Sequence, residues 1–213
     1  RVHATAHRGA SIRRPLGSKL GAPIAKSQKL SEILEYFRKE PSVHFKSSSE
    51  VEAFAVQALA DAKAAMPAYF GVTPKTDCKV TRIPDYEAPF TTIAYYSPPH
   101  TDGSKPGEYY INTYAPETRP IYEARVLAYH ESIPGHHLQI AISQELGDLP
   151  AFRKHGGHTA FVEGWALYTE RLGTEMGIYE TPYEVFGMLS YQAWRASRLV
   201  VDTGIHADRK SVV

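Results

Sequence analysis

The sequence predicts a mainly α-helical protein carrying a small tyrosine-rich β hairpin or subdomain, and three observations lead there. Apolar residues recur at helical spacing up to residue 67 and again from residue 121. Between them, residues 78–114 change to β-branched and tyrosine-rich runs. Proline falls at the changes of pattern rather than inside the helical runs. With 213 residues, 43% hydrophobic and 22% charged, the chain lies in the globular range, which excludes disordered and fibrous classes. No run of eighteen apolar residues exists, so no membrane span is expected.

Residues 1–29 come first, with seven of the 24 basic residues and no acid, which leaves 17 bases against 23 acids in the rest. No aromatic residue interleaves with these charges to stack bases, so a flexible end is expected and not a nucleic-acid arm. Residues 30–213 form the main domain. Ile33, Leu34 and Phe37 behind Ser31 and Glu32 predict a helix to Lys39, and an alanine-rich helix runs from Ser48 or Ser49 to about Met66. Pro41 and Pro67 stop them. The runs CKVTRI, TTIAYYS and EYYINTY, separated by proline-rich and Asp-Gly turns, read as strands; the second turn is about ten residues long. Helices follow at about 121–133, 137–146, 158–177 and 182–206, broken at Pro134-Gly135, Gly147 to Gly157, and Gly177 to Pro182.

Cys78 is the single cysteine, so a metal site would be built from His, Asp and Glu. Five of the ten histidines, His130, His136, His137, His155 and His158, fall within 29 residues beside Glu131, Glu163 and Glu170. His130-Glu131 opens like the H-E-x-x-H motif, but Pro134 occupies the place of the second histidine. On a straight helix His136 would face away from His130, and His137 would lie ~10 Å along the axis. Pro134-Gly135 is expected to bulge or break the helix, which would return His136 to the required face. Glu163, opening an apolar helix, is the best third donor. Glu170, seven residues on, could orient a ligating imidazole. Glu131 is then placed to take the proton of a water at the fourth position. The same residues also fit a turn with satisfied imidazoles and an acid favouring a helix N-terminus. His155 and His158 read as loop and cap residues.

Three segments, HESIPGHHLQ at 130–139, EGWALYTE at 163–170, and Arg198, Asp202, Gly204 and His206 in RLVVDTGIH, resemble the bacterial domain-of-unknown-function family 885 in the right order. Tyr95-Tyr96 through Tyr109, Tyr110 and Asn112 are similar to the segment before its histidine motif, and the likeness covers about 45–206. The resemblance implies a helical zincin-like fold similar to the thimet oligopeptidase and thermostable carboxypeptidase group of zinc metallopeptidases. It implies His130, His136 and Glu163 as ligands of one zinc and Glu131 as the base. Manganese or cobalt would suit the same N/O donors. Family members continue past RLVVDTGIH, so this chain is expected to be a fragment.

Tyr191 and Arg198, with Arg195 near them, are candidate stabilisers of a developing oxyanion, and His137 and Asp202 are candidate supports for the site. Arg198 with Asp202, and Asp202 with His206, stand at i, i+4, which also describes a surface ion pair and a histidine at a helix C-terminus. Trp165 and Trp194 read as core aromatics. The expected function is a zinc-dependent hydrolase cleaving a peptide or small amide substrate. A non-catalytic helical module that binds metal or a partner, and an ester or other amide hydrolase, remain alternatives. No export signal is visible in the chain, and its compartment stays open.

Overall fold

Prolines close the helices about where the sequence places them. The computed structural model of the chain describes residues 22–208 apart from Ile24; most of the basic opening stretch therefore lies outside the described residues. These fall into two compact units, residues 22–40 with 181–208, and Pro41–Glu180.

In the first unit α1 (Leu30–Lys39) buries Ile33 and Phe37, one turn apart. Pro41 follows at once, where a helix could not continue. The long helix α7 (Pro182–Asp208) opens with Pro182 behind a reciprocal cap: Thr181 N–H donates to Glu184 (3.1 Å) and Glu184 N–H to Thr181 Oγ1 (3.4 Å). Phe37 stacks on Phe186 at 4.5 Å, a ring pair worth about 0.5–1.5 kcal/mol beyond its burial.

In the second unit α2 (Ser48–Ala65) is capped by Ser47, whose Oγ accepts from Glu50 N–H at 3.2 Å. Its buried stripe is Ala55, Ala58, Leu59 and Ala62. Helix α3 (Ile121–Glu131) packs against α2 and against α6 (Thr159–Glu175), which turns Ala166, Thr169, Glu170 and Gly173 inward. These mostly small side chains let the two helices approach. Tyr129 of α3 is fully buried and donates to Ile178 O at 2.7 Å; burying a side chain of that size contributes about 2–3 kcal/mol. Buried Arg125 reaches Asp61 (2.6 Å) and Glu180 (2.8 Å). Helix α4 (His136–Glu145) and the one-turn α5 (Ala151–His155) precede α6. The stretch read as a break, 147–157, thus contains a short helix.

The strands β1 (Cys78–Arg82), β2 (Ala94–Ser97) and β3 (Gly107–Ile111) form one sheet in the order β1-β3-β2. The expected hairpin is β2 with β3, paired Tyr95 to Tyr110 and Tyr96 to Tyr109, while β1 runs parallel to β3. The Tyr95 and Tyr110 rings stack at 4.7 Å. Glu108 is buried, yet Tyr110 O–H (2.7 Å), Thr81 O–H (3.1 Å), Lys79 (3.0 Å) and Lys105 all reach it. Burial alone would raise its pKa; the hydrogen bonds from Lys105, Tyr110, Lys79 and Thr81 outweigh that and hold it at about 2. Burial pushes the Cys78 thiol up to about 12. Trp165 is half-buried, whereas Trp194 is 56% exposed and not the core residue expected. Among the described residues no helix is long and apolar enough to cross a membrane.

Candidate metal centre

The break expected at Pro134-Gly135 is present, and it sets the geometry of the site. Helix α3 ends with His130 and Glu131, and Ser132 N–H still donates back to Ala128 O at 2.9 Å. The chain then turns through Ile133, Pro134 and Gly135, and α4 begins at His136. His137 N–H donates to Ser132 O (2.9 Å), and the Trp165 indole donates to Pro134 O (2.9 Å). Gly135 is required by space. A Cβ there would lie 2.0 Å from His130 O and 2.3 Å from Tyr129 O, both backbone atoms.

Restarting the helix brings the His130 and His136 rings to 4.7 Å between centroids, at 82°. Both Nε2 atoms approach the carboxylate of Glu163 on α6, His130 at 3.3 Å and His136 at 3.6 Å. Glu131 stands beside them, 3.9 Å from His136 Nε2, and one potential ligand atom from each of His130, Glu131 and His136 lies within 4.8 Å of the others. A tetrahedral ion with bonds of 2.0–2.1 Å places its donors ~3.4 Å apart. The Glu163 distances match that separation more closely than the Glu131 distance does, so Glu163 fits the third-donor position and Glu131 the neighbouring one. Both histidines are buried and Glu163 is half-exposed, so the donor set opens to solvent on the Glu163 side.

Behind the imidazoles, fully buried Glu170 takes His130 Nδ1 at 2.7 Å, which points Nε2 toward Glu163. Burial pulls the His130 pKa down, but hydrogen bonds to Glu163 and Glu170 prevail and hold it at about 9. His137 faces elsewhere. Its Nε2 donates to Thr76 O and its Nδ1 accepts from Tyr96 O–H, each at 2.9 Å, and burial lowers its pKa. With both nitrogens engaged it steadies the first turn of α4 and is not a donor. Tyr96, whose ring also lies 6.3 Å from that of His136, has a role that sequence reasoning missed. Gly107 on β3 leaves room for this pair, since a Cβ would come within 2.4 Å of His137 Nδ1. The signal was there in the paired tyrosines of 95–96, without a way to tell which one faces the histidines.

The remaining candidates lie on α5, at the start of α6 and on α7. His155 ends α5 and His158 is the N-cap residue of α6; both are exposed. Tyr191, Arg198 and Asp202 are on α7, in the first unit. There the Arg195 guanidinium lies over the Tyr191 ring at 5.2 Å and that of Arg198 over Trp194 at 5.0 Å, while Asp202 contacts His206 at 3.3 Å.

A mainly helical protein with a small mixed sheet, whose central helices draw two histidines and two glutamates together, is the class that fold and site define. The chain belongs to a bacterial family of unknown function, DUF885, whose model matches residues 4–212. It is similar to a solved structure titled "The crystal structure of the putative lipoprotein from Colwellia psychrerythraea", with a TM-score of 0.93 and 30% identity over 99% of this chain. The chain spans 37% of that protein's length. No curated protein matches it.

Proposed function

We propose that this chain carries the site of a zinc-dependent hydrolase, most simply a metallopeptidase that cleaves peptide or similar amide bonds. One observation carries the reading: two buried imidazoles converge on one half-exposed carboxylate, with a second carboxylate beside them. Two histidines, neutral when they ligate, and a glutamate are a donor set of catalytic zinc, which keeps a fourth position open. The pairing of a His-Glu helix, α3, with a Glu-bearing helix, α6, supports the likeness to the thimet oligopeptidase and thermostable carboxypeptidase group. Zinc held by His130, His136 and Glu163 would supply Lewis acidity, polarising the scissile carbonyl and making an adjacent water acidic. Glu131 accepts the proton of the attacking water and returns it to the leaving amine. Glu170 fixes His130 through Nδ1, and His137, held by Tyr96 and Thr76, fixes the start of α4.

The test is elemental analysis of the chain beside His136→Ala after dialysis against a weak chelator, then turnover of amide substrates. About one zinc per parent chain and little in the variant is expected. Glu131→Gln should keep the metal and lose 10²–10⁴-fold in rate. Two folded proteins without metal would refute the site, and undiminished turnover by Glu131→Gln would refute the base. Metal without any turnover in the parent would favour a metal-binding helical module instead.

A further inference from the structure

A cleft of about 400 Å³ lies between α4, α5 and the start of α6, and its lining includes residues within one helical turn of His136 and next to Glu163. Two of the helices that bear on the site, α4 and α6, line it, and so does the residue after β2. Gln139 and Ile140 lie one turn beyond His136 on α4, Val162 precedes Glu163 on α6, and Pro98 follows Tyr96 by two residues at the end of β2. Its apolar walls are Ile140, Phe152, Phe161 and Val162. Arg153, Lys154, His155 and His158 also line it, and among the described residues that line it none is acidic. Gln139 Oε1 is buried with no hydrogen-bond partner among the described residues. Gln139, Ser143 and Phe161 also border a second, more apolar cleft of about 320 Å³ toward Trp165.

An apolar pocket with one-signed charge on its rim selects a group that is apolar and oppositely charged at once. An acidic side chain offers the charge but leaves Phe152 and Phe161 uncovered, whereas the last residue of a peptide can offer both an apolar side chain and a carboxylate. The far wall, at Ser143 and Gln144, lies about 10 Å along α4 from His136, which an extended peptide covers in about three residues. We propose that this cleft receives the C-terminal end of a peptide substrate, with an apolar last side chain against Ile140, Phe152, Phe161 and Val162 and its carboxylate at Arg153 and Lys154. The inference rests on the hydrolase reading above, because it assigns the cleft to the same substrate.

The probe is acetyl-Ala-Ala-Phe with a free carboxylate, compared with its C-terminal amide and with acetyl-Ala-Glu-amide, and titrated into the full chain by NMR chemical shift. Arg153→Ala/Lys154→Ala changes side chains at the cleft's edge and should leave the fold intact. Binding of the carboxylate probe is expected to exceed that of the amide and to fall about tenfold in the double variant, since each solvated charge contributes modestly. His136→Ala should still bind the probe, which separates the cleft from the metal. Equal binding of the amide, equal or tighter binding of the glutamate peptide, unchanged binding in the double variant, or no binding by the parent would each overturn the proposal, whatever the metal analysis shows. Loss of binding in His136→Ala alone would assign the carboxylate to the metal and overturn it too.

Discussion

Replacing Gly135 by alanine tests whether the break between α3 and α4 makes the site. The added Cβ would stand 2.0 Å from His130 O and 2.3 Å from Tyr129 O, where carbon and oxygen ordinarily keep about 3.3 Å. Both oxygens belong to a helix packed on two sides, so the turn must move by about 1.3 Å and carry His136 with it. Forced repacking of this kind costs about 1–3 kcal/mol, a fall in Tm of roughly 2–12 °C for a chain of this size. Displaced donors should weaken zinc by at least the 10–100-fold typical of losing a supporting contact. Competition against a chromophoric chelator, alongside a thermal melt, reads both quantities. Gly147→Ala is the control: a Cβ there meets nothing within 4 Å, so stability should stay within about 0.5 kcal/mol. A Gly135→Ala protein with zinc affinity within twofold of the parent and an unshifted Tm would refute the argument that spacing at the break builds the site.

Glu170→Gln keeps the shape of the buried side chain but removes the charge opposite His130 Nδ1, so zinc affinity should fall 10–100-fold, as read by the same competition. The sheet supplies a pH prediction. Glu108 is held at about 2 against an ordinary 4.5, so its contribution is complete above pH 4.5 and is lost as pH falls from there toward 2. The full shift would amount to ~3 kcal/mol, but Lys79 and Lys105 are 54% and 35% exposed, and solvent screening reduces this to about 1–2 kcal/mol. Urea unfolding at pH 3 and pH 6 should show a little over half of that difference, roughly 1 kcal/mol, in the parent and lose it in Glu108→Gln; an identical pH dependence in both would be contrary to it. Cys78, buried with its thiol at about 12, should resist iodoacetamide at pH 7.5 until denaturant is added, as mass spectrometry would report.

Helix positions were legible because their ends depend on local chemistry. Pro41, Pro67 and Pro182 act through a missing N–H and a fixed φ, and those effects operate whatever the tertiary context. The strands were legible as strands from their tyrosine and β-branched content. Their order was not: that β1 lies parallel to β3 depends on which strand edge the chain meets after the 83–93 connection, and no residue in the strands encodes it locally. Helix α5 was missed because five residues between glycines carry too little periodicity to register. The exposure of Trp194 escaped for a related reason, since a long helix has two faces and hydrophobicity alone does not say which of its aromatics turns inward.

The site shows what a departure from a motif can disclose. In an H-E-x-x-H helix both histidines share one continuous face, and the chain needs no break. Here the second histidine comes at i+6, and only a new helix can return it; Pro134 ends the hydrogen-bonded ladder and Gly135 fits against the last carbonyls of α3. That much follows from the two residue types. The restarted helix also sets the His136 ring between both carboxylates, its Nε2 3.6 Å from Glu163 and 3.9 Å from Glu131. The Pro-Gly break thus turns the His136 ring toward His130 and toward the two carboxylates proposed as the ligand and the base.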